Sequence, residues 1–455
     1  MKALVISGFA LDEDRGPAAA AALESALEGR GLDVETVDAT AVDVRPCVGC
    51  GSCGLKTPGR CVVKDDMQGI YRRLVASDLL VLAGPVSFGA HCFPVKKIVD
   101  RLQPLMLPLY TKRNGELKFR PRYPNSPAWL GVGLLPADDP QYDAQEATYR
   151  LLLERHGVNL AVPAAAALAG EDAAAMAAAL TPALDALLSG RATPASPASA
   201  RDRAAAMPAT AALPSAGGSA GPVLLIQGSP RKKANTRAMV AYLRTELEGL
   251  GSTVDVFHVP SKGATPDDFD ELQLKLQACA AVVLVAPLYI DGLPPVTQRL
   301  LEQVHERRGE LGAAAPRLYG IAHSGFPEPI QRLAELRTME LFAGAVGWPW
   351  QGGVGFGGTS PIDGRPLDEA GMFSKQLRRC LPQVAADIVA GGPFAVGTAA
   401  LCDRPPFPIP LSVMVWVINR GARKTAREHG VELEGWPYAE VEAEAEARAG
   451  VVTPR

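Results

Sequence analysis

Short continuous apolar runs alternate along this chain with longer segments whose apolar residues recur every three or four positions. Val223-Leu224-Leu225-Ile226 is one such run, and in the segment after it Met239, Leu243, Leu247 and Leu250 fall at helical spacing. The first part of the chain predicts strands at 2–8, 32–37, 78–86, 127–135 and within 158–168. Helices are predicted at 18–29, 67–76, 93–102, 141–156 and 172–188. From 223 the same order returns. Strands are expected at 223–228, 253–259, 280–287, 316–323 and within 345–356, with helices at 237–250, 266–278, 295–307, through 342, and 367–390. Strands that are apolar throughout and alternate with helices belong to a parallel sheet covered on both faces. The expected class is therefore α/β, with two tandem doubly wound parallel sheets from an internal duplication. Leu80-Val81-Leu82-Ala83-Gly84-Pro85 against Val283-Leu284-Val285-Ala286-Pro287 is its best anchor.

Between the halves, large apolar side chains give way to Ala, Pro, Ser and Gly, as in Ala192-Thr193-Pro194-Ala195-Ser196-Pro197. With nothing to bury, this stretch reads as a flexible linker. The expected domains are 1–190, a linker at 191–221, 222–400, and a C-terminal helical extension at 401–455. In that extension Leu411 to Ile418 is apolar and Arg420-Gly421-Ala422-Arg423-Lys424 basic. A membrane-surface or dimer element has this make-up, but so short an apolar run favours an extra helix packed on the second domain.

A length of 455 residues and a hydrophobic fraction of 47% suit two or three cored domains. The net charge of −3, with no basic cluster interleaved with aromatics, argues against a nucleic-acid partner. Met1 to Gly8 reads as a first strand rather than a signal peptide, and no stretch is long enough for a membrane span. Of eight cysteines, Cys47, Cys50, Cys53 and Cys61 crowd together while the rest are scattered. That clustering points to a reducing, cytoplasmic setting and a metal site rather than a disulfide scaffold.

The spacing is C-x2-C-x2-C-x7-C. Three thiolates at two-residue gaps wrap one compact polynuclear centre, and a fourth closes it. Structural zinc usually takes two separated C-x2-C knuckles. The quartet is closer to ferredoxin-type ligation of a [4Fe–4S] cluster, with zinc, redox-active thiols or a vestigial loop as alternatives. Gly49, Gly51 and Gly54 permit tight turning around it.

Gly228-Ser229-Pro230-Arg231-Lys232-Lys233-Ala234-Asn235-Thr236 joins a strand to a helix start. Backbone N–H groups and the helix dipole favour an anion there. Ser229, Asn235 and Thr236 add neutral donors, Arg231 a positive fork, and Gly228 close backbone approach. This suits a terminal monophosphate; the plainer reading is a helix capped by Asn235 or Thr236. The loop resembles the FMN-phosphate loop of the flavodoxin-like NAD(P)H-dependent FMN reductases. Ala286-Pro287-Leu288-Tyr289-Ile290-Asp291-Gly292-Leu293-Pro294 resembles that family's loop under the flavin ring, and His323-Ser324-Gly325-Phe326 another ring-contacting loop. The resemblance implies the sheet order 2-1-3-4-5, with ligands at the carboxyl ends of the strands. It implies FMN on Gly228, Ser229, Arg231, Asn235, Thr236, Pro287, Leu288, Tyr289, Ile290, Gly292, Ser324 and Gly325. The quartet followed by Val62-Val63-Lys64-Asp65-Asp66-Met67 resembles the iron–sulfur flavoprotein branch, which implies Cys47, Cys50, Cys53 and Cys61 as cluster ligands.

The halves differ where it matters. In the first, Asp12, Glu13 and Asp14 stand where a phosphate would lie; the second has no cysteine quartet. The expectation is an intramolecular pseudo-dimer in which a cluster in half one exchanges electrons with FMN in half two. A homo-oligomer is also compatible. NAD(P)H would be the co-substrate, and a quinone, nitro or azo compound or a redox protein the acceptor. No catalytic side chain is required. A non-enzymatic flavin/iron–sulfur electron carrier and a zinc-loop interaction protein are the rival classes. His91, His305 and His323 are expected to be surface or hydrogen-bonded residues, and Cys92 a buried small hydrophobe.

Overall fold

The computed structural model describes residues 1–169, 173–189, 221–312, 315–404 and 409–439. The expected linker lies outside them apart from Gly221. In the first half, β1 (Lys2–Ser7), β2 (Asp33–Asp38), β3 (Leu79–Ser87), β7 (Ala128–Leu134) and β8 (Ala164–Ala169) pair in parallel in the order β2-β1-β3-β7-β8. The short β4 (Ala90–His91) folds back on β3. In the second half, β9 (Val223–Gln227), β10 (Val254–His258), β11 (Ala281–Pro287), β12 (Arg317–His323) and β13 (Trp350–Phe356) take the order β10-β9-β11-β12-β13. Counted by core strands, both halves are 2-1-3-4-5. The apolar runs Leu79–Ala83 and Ala281–Pro287 are buried on both faces, as helix layers on either side of a parallel sheet require.

One element was passed over in the sequence. β5 (Met106–Arg113) and β6 (Glu116–Pro121) form an antiparallel hairpin that turns at Asn114-Gly115. Both turn residues have positive φ, 51° and 82°, and Asn-Gly between strands is the strongest short hairpin signal. The tail corrects a second expectation. The helix Leu411–Glu428 packs Ala422 and Ala426 on Leu107 and Leu109 of this hairpin, in the first half and not on the second. The Asn419 amide donates to Tyr110 O (2.9 Å) and accepts from Tyr110 N (2.7 Å). It thereby satisfies backbone groups that an edge strand leaves unpaired.

The halves meet through matched elements. The helix Phe93–Val99 packs against its duplicate Pro295–Glu306, and Tyr142–Leu160 against Leu333–Val346, the arrangement of a two-fold interface. The tight turns after β3 and β11 also correspond: Ser87 pairs with Ala90, and Tyr289 with Gly292. Their second residues, Phe88 (φ 55°) and Ile290 (φ 33°), are non-glycine residues at positive φ. Each enters the other half's core. Phe88 meets Phe342 edge-on at 5.4 Å, and Ile290 packs on the first-half cluster. Lys96 Nζ donates to Tyr289 O across the junction (2.5 Å), and Gln298, its counterpart, donates to Ser87 O (3.3 Å).

The turns after β1 and β9 have diverged. In the first half Asp12 accepts from Arg15 N (2.9 Å) and from the Arg15 guanidinium at the start of the helix Gly16–Glu28. Glu13 and Asp14 point to solvent, so one carboxylate, not three, occupies the place. Burial pushes Asp12 up, but the Arg15 hydrogen bonds outweigh it and hold the group below its ordinary value of 3.8. In the second half the residue before Asn235–Gly249 is Ala234, which offers no side-chain cap. Asp12→Asn is expected to cost about 0.2–1 kcal/mol at neutral pH, the worth of a partly exposed ion pair. Because the folded-state value is depressed, that difference is full above pH 3.8 and disappears as pH falls through the folded value. Thermal unfolding of both proteins between pH 7 and pH 2.5 reads this out.

Candidate functional site

The cysteine loop is pinned at its stems. Arg101 clamps Asp65 with two hydrogen bonds (2.9 and 3.1 Å) and donates to Arg45 O (2.7 Å), while Asp65 also accepts from Arg45 N (3.1 Å). The chain entering at Cys47 and the chain leaving after Cys61 are thus held side by side. Between them Gly49 and Gly51 take left-handed φ of 62° and 69°. A Cβ on Gly49 would lie 2.0 Å from the Tyr289 hydroxyl, so only glycine lets the second half's tyrosine come so near. On its outer side the loop is covered by the tail. Arg122 donates to Leu433 O (2.6 Å) and Gly435 O (2.9 Å), and Arg60 to Pro437 O (3.3 Å).

All four cysteines line one cavity of about 410 Å³. Its far side comes from the second half: Leu288, Tyr289, Ile290 and Asp291 after β11, and Ser324, Gly325 and Phe326 after β12. The hairpin adds Tyr110 and Phe119, which cluster with Phe326 at centroid distances of 4.6, 5.3 and 6.0 Å. Volume and apolar lining fall in the range of small-molecule sites. Burial pushes the thiols of Cys47 and Cys53 up to about 12. Local protein charge does not make them thiolates, so a soft cation would have to displace their protons. No three His, Cys, Asp or Glu side chains among the described residues converge at metal-ligand geometry. The donor set itself, four thiols on one glycine-bearing loop at one end of one cavity, fits an iron–sulfur centre.

A buried polar network holds the turn that faces the cysteines. Asp291 bonds His156 Nδ1 (2.8 Å) and the Asn159 amide, both on the first half's Tyr142–Leu160 helix. Burial alone would raise Asp291; the His156 hydrogen bond and the charges of Arg155 and Lys118 outweigh it and keep the carboxylate ionised. Lys96 pairs with Asp100, which burial lifts to about 7 against that lysine's pull. Positive φ at a β-branched residue such as Ile290 costs on the order of 1–3 kcal/mol, and persists only where the surroundings over-determine it. Lys96, His156 and Asn159 are those surroundings.

Of the sequence-predicted residues, Cys47, Cys50, Cys53, Cys61, Leu288, Tyr289, Ile290, Ser324 and Gly325 share the cavity. Pro287 ends β11 beneath it, and Gly292 faces Lys96 instead. Gly228, Ser229, Arg231, Asn235 and Thr236 lie outside the lining. Gly228 packs on Ala286 and Thr297. Ser229 is buried and accepts from Arg231 N (3.3 Å). The Asn235 amide bridges Thr359 O (2.8 Å) and Gly364 N (2.7 Å), and the Thr236 hydroxyl bonds His323 Nε2 (2.7 Å). Arg231 is part-exposed, 3.5 Å from Asp363. Neither Asn235 nor Thr236 is the N-cap, so the first-turn N–H groups, which have no intrahelical acceptor, lack a side-chain cap. His323 is buried and hydrogen-bonded to Thr236 and Thr359, the second of the two expected alternatives, His91 is buried, and Cys92 is buried as expected. Sequence reasoning missed His156, Asn159, Tyr110 and Phe119; the Asn-Gly hairpin was the one available signal for the last two.

Both halves of the chain are similar to known proteins. The family model described as NADPH-dependent FMN reductase matches residues 1–124 and 222–325, one segment in each sheet. An iron–sulfur flavoprotein of Methanosarcina thermophila is 40% identical over 81 residues, 18% of this chain and 41% of the relative. One of Methanocaldococcus jannaschii is 29% identical over 107 residues, 24% and 54% respectively, and one of Archaeoglobus fulgidus 37% over 78 residues, 17% and 34%. The chain thus spans about half or less of the length of these relatives. Among solved structures, an NAD(P)H:quinone oxidoreductase from Methanothermobacter marburgensis aligns over 37% of this chain and 96% of its own, at 15% identity and a TM-score of 0.29. With one matched segment in each sheet, together half of its length, this chain belongs to the NADPH-dependent FMN reductase family in tandem form.

Proposed function

We propose that this protein is an NAD(P)H-dependent FMN oxidoreductase whose flavin sits on the second half and whose cysteine quartet in the first half holds a [4Fe–4S] cluster. The observation that carries this reading is one cavity bounded by Cys47, Cys50, Cys53 and Cys61 on one side and by the Leu288–Asp291 turn on the other. Family membership supports the flavin, and the names of the curated relatives support an iron–sulfur partner. Bound FMN would supply hydride acceptance and stepwise electron release, and a cluster would supply one-electron storage.

The chain's own residues then bind and orient. Uncapped N–H groups at Asn235 and Thr236, with Arg231 swinging from Asp363, would hold the terminal phosphate. Leu288, Tyr289 and Ile290 would support one edge of the ring, while Ser324 and Gly325 bound it from β12. Tyr289, lying against Gly49, would bridge the ring turn and the cysteine loop. The apolar trio Tyr110, Phe119 and Phe326 suits a flat aromatic acceptor of quinone, nitro or azo type. In the first half Asp12 fills the equivalent anion seat, so FMN is assigned to the second half alone.

Three outcomes test this. Cys47→Ser and Cys53→Ser are expected to lose iron while retaining FMN, measured by metal analysis and flavin release on anaerobically purified protein; unchanged iron would refute the ligand assignment. Arg231→Ala should weaken FMN binding about tenfold, the loss of one charge-assisted hydrogen bond, as read by flavin fluorescence titration of stripped protein. Anaerobic addition of NADPH or NADH should bleach the flavin band. Bleaching by neither would leave an electron carrier fed by another reductase.

A further inference from the structure

We propose that the outer face of the Leu411–Glu428 helix seats this protein on an anionic phospholipid surface. The inner face of the helix is accounted for by Asn419, Ala422 and Ala426 against the hairpin. The outer face is not. Val413, Trp416 and Val417 are 45%, 62% and 53% exposed, and Ile409 just before the helix is 45% exposed. At 3.6 residues per turn the next outward positions on that same stripe are Arg420, Lys424 and Arg427. One face therefore runs from apolar in its first turns to cationic in its last. No strand, helix or loop among the described residues covers it.

Chemistry selects the occupant. Tryptophan with an adjacent cation is the pair favoured at the headgroup level, where an apolar body and a polar tip meet different media. The Arg420 guanidinium lies 5.6 Å from the Trp416 ring centroid. Lys424 is 3.7 Å from Glu428, and Arg423 3.1 Å from Glu434. Arg420 and Arg427 have no acidic partner among the described residues, so lipid phosphates would complete what the protein leaves open. A two-fold contact through this face would set a second copy's Arg420, Lys424 and Arg427 against the same cations. No described helix is long and apolar enough to cross a membrane. With its basic last turns this helix would lie in the interface, not through it. Its inner face supports the Tyr110 wall of the cavity, so docking would bring that wall within about one helix diameter, ~10–12 Å, of the lipid surface.

The test is co-sedimentation of the full chain with vesicles of phosphatidylcholine, alone or mixed with phosphatidylglycerol. Binding is expected to the mixed vesicles, with a fall as salt is raised. Trp416→Ser/Val417→Ser should lower partitioning at least about tenfold, and Arg420→Gln/Lys424→Gln should remove the preference for phosphatidylglycerol. Both double variants alter exposed side chains, so their unfolding temperatures should match the parent. Absence of binding to mixed vesicles would overturn the proposal. So would light scattering that shows a dimer broken by Trp416→Ser/Val417→Ser, since the face would then be covered by a second copy. Neither readout depends on FMN or iron, so the redox assignment stands or falls separately.

Discussion

Two crossed hydrogen bonds hold the site together: Lys96 to the carbonyl of Tyr289, and Gln298 to the carbonyl of Ser87. Each half reaches over and grips the turn that ends the other's third core strand. Backbone carbonyls in a packed junction need partners; the Tyr289 carbonyl accepts from Gly292 N in its own turn and from Lys96 of the opposite half, and the Ser87 carbonyl from Gln298. The turns also send Phe88 and Ile290 into the neighbouring cores. Separating the halves would expose apolar side chains and orphan polar groups at once. The cavity exists because the junction does, since its two sides come from different sheets.

Around that symmetric frame the sequence has diverged. At one helix start Asp12 supplies the negative charge that the helix dipole favours. At the corresponding start Ala234 supplies nothing. The long glycine-bearing loop after β2 has no counterpart after β10. The reciprocal grip is itself uneven, because a lysine paired with Asp100 on one side answers a neutral glutamine on the other. The charged member sits on the side facing the cysteines, where it holds a backbone conformation that isoleucine rarely adopts.

Both sheets were legible because a central strand covered on both faces is apolar without interruption, as at Leu79–Ala83 and Ala281–Pro287, and because the alternation of strand and helix recurs in one order. The Cys quartet and the Leu288–Ile290 turn were legible because their chemistry lies in contiguous residues. What escaped was non-local. His156 and Asn159 look like ordinary polar residues near a helix end, and only the fold brings them to Asp291. The hairpin was lost between the helix expected at 93–102 and the strand expected at 127–135, despite its Asn-Gly turn. The tail helix was placed on the wrong half because its period does not say which surface it meets; the unpaired edge at Tyr110 decides that. The donors expected of Asn235 and Thr236 are engaged by Thr359 O and His323 Nε2, partners more than eighty residues away.

That the two gripping halves belong to one polypeptide alters how the junction responds to dilution. Separate subunits joined across such a junction would come apart as their concentration fell. Covalent continuity replaces that concentration with an effective local one set by chain connectivity. The cavity between the sheets then persists in a single molecule, and each side is free to accumulate substitutions that an identical copy opposite it would not tolerate.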